Sequence, residues 1–489
     1  MRAQHAHILD ALSGKRLDAL EQCVAIDVAG DTKLSGVNDV RSLCAWFHER
    51  YIELLHGKGD GKQGALLTAP PAAGKTTMIS QAVTITLDRS VLVPIVVKVQ
   101  KLQVRLLEKP QVFSSAWNWI DAFVSLEHTP EVYRMVRQVL LARRALLLID
   151  GLDEGGKIRD EIVRHVEEVL APQGHVMLLT SRPAGLNPSS FASFHRLQLS
   201  PLSDDQQLQV LRQRLGEEGA ARLQPDLERM PIDTESKQRV TSNPLMLSMT
   251  ASVFELRQGI GMPSTVAELY DVASAAMLKR SGDSSVELVH ALSALFCTAH
   301  IKQQRIITEE HLQEAQALVG ADVLRTLEAR ALQDRMPLLS LLQVEPLQLQ
   351  SSHLSFQEYF AARQLCEEQG TLLAGTPPWQ WSAWWANVVK LGNEMGDPFY
   401  RGLARAAGVG VGVLDLENKL IAGDRTTALP AVCCILRALT ELNISSNKMD
   451  PKDAMVLAQG LKGNNTLTWR HRVGSLAPVV PEISRCVYI

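Results

Sequence analysis

The chain of 489 residues lacks a continuous apolar stretch of the roughly 20 residues that a membrane-spanning helix needs; its longest apolar runs, such as Val91 to Val97, stop far short. The N-terminus, MRAQHAHILDALSGKRLDAL, has no apolar h-region of a signal peptide, so neither secretion nor a membrane partner is indicated. An excess of positive charge is missing as well. Lys and Arg number 50 against 53 Asp and Glu, and the formal charge of -3 offers no field to gather phosphate backbones, which argues against nucleic acid as the principal partner. Nor do the cysteines form a framework. Cys23, Cys44, Cys297, Cys366, Cys433, Cys434 and Cys486 are an odd, scattered set without the spacing of a zinc site or disulfide scaffold, so reduced thiols in a cytoplasmic protein are expected.

The chain has the composition of an ordinary globular protein, 46% hydrophobic and 21% charged, which implies no large disordered fraction. Its length exceeds one compact core and implies about three or four domains. From Gly64 to about Ser200, short apolar runs alternate with helical patterns: ALLTA (65–69), LVPIVVKV (92–99), ALLLID (145–150), HVMLLTS (175–181) and RLQL (196–199). Continuous apolar strands separated by helices predict a parallel sheet covered on both faces, an α/β domain. Beyond residue 200 helical periodicity takes over, as in DDQQLQVLRQRL, AELYDVASAAMLKR and SFQEYFAARQLCEE. Four of the eight tryptophans, Trp379, Trp381, Trp384 and Trp385, cluster in one stretch and are expected to anchor helix packing.

The first strand runs into Ala69-Pro70-Pro71-Ala72-Ala73-Gly74-Lys75-Thr76-Thr77 and then a helix, the context a P-loop requires. The chemistry of such a loop is anion binding: backbone N–H groups and a helix N-terminus face phosphate, a lysine neutralises the terminal phosphates, and a hydroxyl binds magnesium. Lys75 and Thr76 fill the last two roles, and ATP or ADP with Mg2+ is the expected ligand. About 75 residues on, Arg144-Ala-Leu-Leu-Leu-Ile-Asp150-Gly151-Leu152-Asp153-Glu154 reads as a buried strand ending in three carboxylates. Asp150 at the strand tip is the candidate to hold Mg2+, directly or through water; Asp153 and Glu154 are candidates for orienting or deprotonating the attacking water.

The apolar run ending in DGLDE resembles the corresponding motif of NACHT-domain (NOD-like receptor) proteins, members of the STAND class of P-loop NTPases, in which a small residue follows the metal-binding aspartate. Ala69 and Ala72 stand where the NACHT loop usually has glycine, and alanine at a left-handed position costs about 1 to 2 kcal/mol. Later landmarks follow in the family's order over about residues 45 to 468. HVMLLTSRP resembles the next strand with its sensor, Arg182, and with Thr180 and Ser181 at the strand end. TSNPL resembles the turn whose proline, Pro244, packs on adenine. Ser352 to Ala362 resembles the winged-helix segment, by which His353 would reach the second phosphate and hold the closed, ADP-bound state.

Near the C-terminus, Leu439, Leu442, Ile444, Asn447 and Met449 match a leucine-rich repeat, in which apolar positions fill a solenoid core and the asparagine satisfies backbone groups at the bend. A degenerate echo lies at Val411, Leu414 and Leu416, with Lys419 in the asparagine's place. The next repeat begins at Leu467 and fails at Arg470, and since about three repeats are needed for a stable array, either a truncated or mis-spliced product or a final repeat packed on the preceding helices is expected, truncation being favoured.

The resemblance implies an α/β P-loop NTPase domain with a parallel sheet, then mostly α-helical domains, a winged helix and a short leucine-rich repeat end. The expected divisions are an N-terminal helical segment (1–60), the NACHT domain (61–205), helical domain 1 (206–262), the winged helix (263–365), helical domain 2 (366–430), the repeat (431–468) and an irregular tail (469–489). The function implied is a weak ATPase acting as a switch, forming a homo-oligomer when ATP-bound, with a protein effector and ligand that sequence does not identify. Two rivals are a continuously turning ATPase of the related AAA+ type and a truncated nucleotide-binding scaffold or decoy. DNA binding through the winged helix is disfavoured, because SFQEYFAARQLCEEQ carries one arginine against three acids.

Overall fold

The computed structural model describes residues 5–9, 16–20, 27–30, 34, 36–57, 62, 64–183, 190–232, 237–257, 262–280, 282, 285–333, 335–367, 376–409, 412–420, 425–436, 439–444 and 446–461. They fall into two compact units, one of Met1–Asp283 with Gln303–Ile306 and Arg335–Ser340, the other of Ser284–Lys302, Ile307–Asp334 and Leu341–Ile489.

In the first unit, β1 (His7–Leu9) and β2 (Arg16–Asp18) form an antiparallel pair. The central sheet consists of β3 (Val28–Gly30), β4 (Gly64–Thr68), β5 (Val93–Lys98), β6 (Ala145–Asp150), β7 (Val176–Ser181) and β8 (Phe194–Leu199), in the order β3-β8-β4-β7-β6-β5. All pairings are parallel except that of β3 with β8. The five strands expected from the apolar runs are these parallel ones. Strand β6 is buried at all six positions.

Alternation along the strands divides the core. Ala65, Leu67, Leu146, Leu148, Val176 and Leu178 face one side, packed with the Lys75–Arg89 helix through Met78, Ile79, Ala82 and Val83 and with the Val40–Leu55 helix through Leu43 and Phe47. Leu66, Leu147, Ile149, Met177 and Leu179 face the other, against helices contributing Leu102, Phe123 and Leu140. Each buried leucine of this kind is worth about 1.5–3 kcal/mol, so the sheet is a rigid platform whose C-terminal strand ends can carry polar groups.

Residues 1–60 differ from the helical segment expected of them. Their described part holds three short strands as well as the Val40–Leu55 helix, and β3 completes the sheet edge. Three residues carry no usable period, and their strand form comes from pairing with β8. Gly30, at φ +148, lies against the Arg196 carbonyl so closely that a Cβ there would collide with it.

The second unit opens with the helices Val286–Ile301, Glu309–Val319 and Ala321–Leu332, and includes the strand Gln348–Ser351 and the helix Leu354–Cys366. Gln348–Ser351 is the middle strand of a three-stranded sheet with Leu339–Gln343 and Ile306–Thr308. Phe296 packs on Phe360 with ring centroids 5.6 Å apart. The tryptophan stretch is packing, as expected: Trp381 stacks on Trp385 at 4.0 Å, and Trp384 Nε1 donates to the His300 carbonyl at 3.0 Å. Farther on, Gly412–Asp415 pairs in parallel with Leu439–Asn443, so the degenerate echo forms a strand beside the clear one. Asn447 Nδ2 donates to Leu416 O and Ile444 O, both at 2.8 Å, and its Oδ1 accepts from Leu420 N at 2.9 Å. Val411, Leu467, Arg470 and the tail 469–489 lie outside the described residues.

Candidate functional site

Strand β4 ends in the loop 69–74, and the helix Lys75–Arg89 begins at once. Ala69 N donates to Ser181 O at 3.1 Å, which prolongs the pairing of β4 with β7 by one residue before the chain turns. Two residues of the loop take left-handed backbone, Gly74 at φ +97 and Ala72 at φ +62. The strain expected of alanine in this loop therefore falls on Ala72; Ala69, almost fully buried, does not share it. No side chain caps the helix start, so the first N–H groups point into the loop, the geometry of an anion cradle. Lys75 Nζ donates to Ala69 O at 2.9 Å and Pro70 O at 3.1 Å, folded over the same loop. Thr76 is exposed at its mouth, with Pro71 and Thr77 half-buried beside it, while Ala73 N turns back to Pro70 O.

Across the sheet, Asp150 ends β6. One carboxylate oxygen accepts from Thr76 Oγ1 at 3.2 Å and the other from Thr180 Oγ1, on β7, at 2.7 Å; Thr180 in turn accepts from Gly151 N at 2.9 Å. The turn that follows depends on Gly151, at φ +81, where a Cβ would come within 3.1 Å of the Glu154 carboxyl carbon. A small residue after the aspartate thus lets Glu154 fold back over the turn, and Glu154 N bonds to Gly151 O at 2.8 Å. Asp153 accepts from Arg182 twice, from the backbone N–H and from Nε, each at 3.0 Å. Glu154 receives Arg305 Nη1 on both oxygens, at 3.0 and 3.1 Å.

The charges respond to one another. Burial pushes the Lys75 ammonium below the usual lysine range, opposed by Asp153, Asp150 and Glu154 and reinforced by Arg182. Burial also pushes Lys98, at the end of β5 and paired in register with Asp150, downward against the pull of that carboxylate. Glu154 is raised by burial and by the neighbouring Asp153 and Asp150, while Arg305 and Arg182 draw it down. Among the described residues no cluster of three or more His, Cys, Asp or Glu side chains is placed to hold a metal ion. The Thr76 hydroxyl and the Asp150 carboxylate are oxygen donors of the kind Mg2+ takes, one or two from the protein with waters and substrate phosphates completing its shell. Thr76 and Asp150, already meeting at 3.2 Å and with lone pairs left on the carboxylate, are the residues that fit it.

The structure therefore brings together the loop 69–77, Asp150, Asp153, Glu154 and Arg182. Pro244 joins them through its neighbour: Asn243 Nδ2 donates to Pro71 O at 2.7 Å, and Asn243 Oδ1 accepts from Leu245 N at 3.0 Å, capping the helix that Pro244 opens. His353 belongs to the second unit, where its Nδ1 lies 2.7 Å from Ser355 Oγ and caps the helix Leu354–Cys366. Sequence reasoning assigned no role to Lys98, Asn243 or Arg305. A lysine ending an apolar strand could have drawn notice to Lys98, and the N-cap pattern to Asn243; Arg305 carries no local signal.

No protein-family model matches the sequence, and no curated protein matches it. Among solved structures the chain is similar to Cdc6p from Pyrobaculum aerophilum (11% identity over 64% of this chain and 93% of that one, TM-score 0.28). It is also similar to a Signal Transduction ATPase with Numerous Domains (STAND) protein with a tetratricopeptide repeat sensor from Pyrococcus horikoshii (12%, 84% and 60%, 0.33) and to Drosophila ORC bound to DNA (12%, 65% and 85%, 0.26). These likenesses are too slight to carry function. What the first unit shows by its own geometry is a P-loop NTPase fold: a mostly parallel sheet, a strand–loop–helix cradle and an acidic strand end facing it.

Proposed function

We propose that this chain is an ATP- and ADP-binding switch of the NOD-like receptor type, a STAND NTPase with a NACHT domain and a leucine-rich repeat end, that hydrolyses ATP slowly and self-associates when ATP-bound. The observation that carries the nucleotide reading is the meeting of Thr76, Asp150 and Thr180 beside a loop covered by Lys75. A hydroxyl and a carboxylate at bonding distance, next to open helix N–H groups, match the needs of a magnesium-bound triphosphate. In this reading Lys75 neutralises the terminal phosphates, Thr76 and Asp150 bind Mg2+, Asp153 and Glu154 handle the water, Arg182 senses the terminal phosphate, Pro244 packs on adenine and His353 reads the second phosphate. The switch reading draws on the order of motifs and assigns the protein to cytoplasmic, innate-immune or cell-death signalling.

The deciding experiment is to identify the nucleotide carried by the purified protein and to measure its mass by sedimentation with ADP and with a non-hydrolysable ATP analogue. Bound ADP, a monomer with ADP and a larger species with the analogue are expected. Steady turnover of many cycles per minute without a change of mass would instead favour a continuously cycling ATPase. Duplex DNA belongs in the same experiment: the net charge of -3 predicts no tight complex at physiological salt, and a salt-sensitive complex would reverse that. With His353→Ala, self-association in ADP is expected, by about tenfold or more in the closed-to-open ratio if one charge-assisted bond is lost. An unchanged ADP-bound monomer would leave His353 as a helix cap alone.

A further inference from the structure

We propose that Arg305 is a positioning residue for the hydrolytic step, its guanidinium holding the Glu154 carboxylate in the orientation in which it accepts a proton from the attacking water. The inference rests on the nucleotide reading and deepens it by adding a residue that no motif contains.

The segment Gln303–Ile306 belongs to the first compact unit and is fastened beside the acidic turn. Gln103, buried, donates Nε2 to Gln303 O at 3.3 Å. Gly156, at φ +55, is approached so closely by that carbonyl and by the Gln103 amide that a Cβ would strike both. Arg305 therefore projects from a fixed backbone. Its Nη1 sits 3.0 and 3.1 Å from the two oxygens of Glu154, and both side chains are largely shielded, at 15% and 17% exposure. Among the described residues Arg305 Nε is buried without a hydrogen-bond partner, so its side chain is held through Nη1.

One nitrogen shared by both oxygens tethers the carboxylate through both of them and leaves a lone pair on each oxygen, so the group can still accept from water. Glu154 lies among charges from every element around it: Asp150 on β6, Asp153 in the same turn, Arg182 after β7, Lys98 ending β5, Lys75 at the helix start, and Arg305. Burial and the two aspartates favour the neutral acid; Arg305 is the strongest influence favouring the carboxylate. In the step itself an O–H bond of water breaks and its proton passes to a Glu154 oxygen. The water oxygen bonds to the terminal phosphorus, and the phosphorus–oxygen bond to the leaving ADP breaks with its electron pair going to ADP. A neutral Glu154 cannot take that proton.

The test is single-turnover hydrolysis of Mg2+–ATP by the full chain from about pH 5 to 9, with ATP affinity measured in parallel. Arg305→Ala is expected to lower the rate at neutral pH by about tenfold or more while affinity stays within about threefold. Its acid limb should move to higher pH, because the rate falls as Glu154 protonates and loss of Arg305 raises the pH at which that happens. Arg305→Lys should restore most of the rate and the wild-type limb. In a Glu154→Gln background, Arg305→Ala should change nothing further. If Arg305→Ala loses ATP binding altogether, Arg305→Gln and Arg305→Lys decide the matter, the first expected with the shifted limb and the second without it. An equal or faster rate with an unmoved pH profile, in a variant that still binds ATP, overturns the proposal alone. A wild type that binds no ATP overturns the nucleotide reading and this inference with it.

Discussion

Two places in this chain put a polar side chain at or just beyond the end of a strand, and they use it in opposite ways. In the C-terminal strand–turn–helix segment Asn447 bonds to the backbone throughout: both amide hydrogens go to backbone carbonyls and its oxygen takes a backbone N–H. In the parallel sheet Asp150 accepts one hydroxyl on each oxygen and keeps lone pairs in reserve, with Glu154, Lys75 and Lys98 close enough to feel its charge. A buried amide with both hydrogens bonded and its oxygen engaged stabilises; a carboxylate that keeps lone pairs open beside a hydroxyl is equipped to take a metal. The number of bonds still open separates structure from chemistry better than burial does, since the Asp150 and Asn447 residues are 9% and 5% exposed.

The sharpest way to break this contrast is Lys75→Ala. It should weaken ATP and ADP binding by about a hundredfold or more in calorimetry, because charge-assisted bonds to the terminal phosphates are lost, while urea unfolding changes little. Near wild-type affinity would remove the cradle from the argument. Next in size, Glu154→Gln should slow single-turnover hydrolysis by about a hundredfold and spare binding. Asp150→Asn should make binding insensitive to Mg2+, the two acids acting at different steps. Loss of binding in both would erase that separation of roles. On the other side, Asn447→Ala should cost about 1–3 kcal/mol in denaturant unfolding by stranding buried backbone groups, with nucleotide affinity untouched. Should Asn447→Ala alter nucleotide affinity instead, the amide would not be purely structural. The smallest effect belongs to Ala72→Gly, which relieves left-handed strain and should raise stability by about 1 kcal/mol or less, since glycine returns part of the gain as unfolded-chain entropy. A fall in melting temperature would mean that the Ala72 methyl packs more favourably than its backbone is strained.

The parallel strands, the cradle and the acidic strand end were legible in the sequence, because each is a local pattern: continuous apolar runs, a loop between strand and helix, carboxylates clustered after a hydrophobic stretch. Asn447 was legible for the same reason, its bonds closing within the strand–turn unit and its neighbour. Tertiary structure decided what no window contains. The join of Arg305 to Glu154 spans 151 residues and that of Asn243 to Pro71 spans 172, and strand β3 exists because β8 offers it an edge. Strand order placed Lys98 beside Asp150, and with it the balance of charge around Glu154. Such pairings depend on which sheet edge or turn a distant segment meets after the chain has closed its loops; a lone arginine between a helix and a strand carries no trace of it.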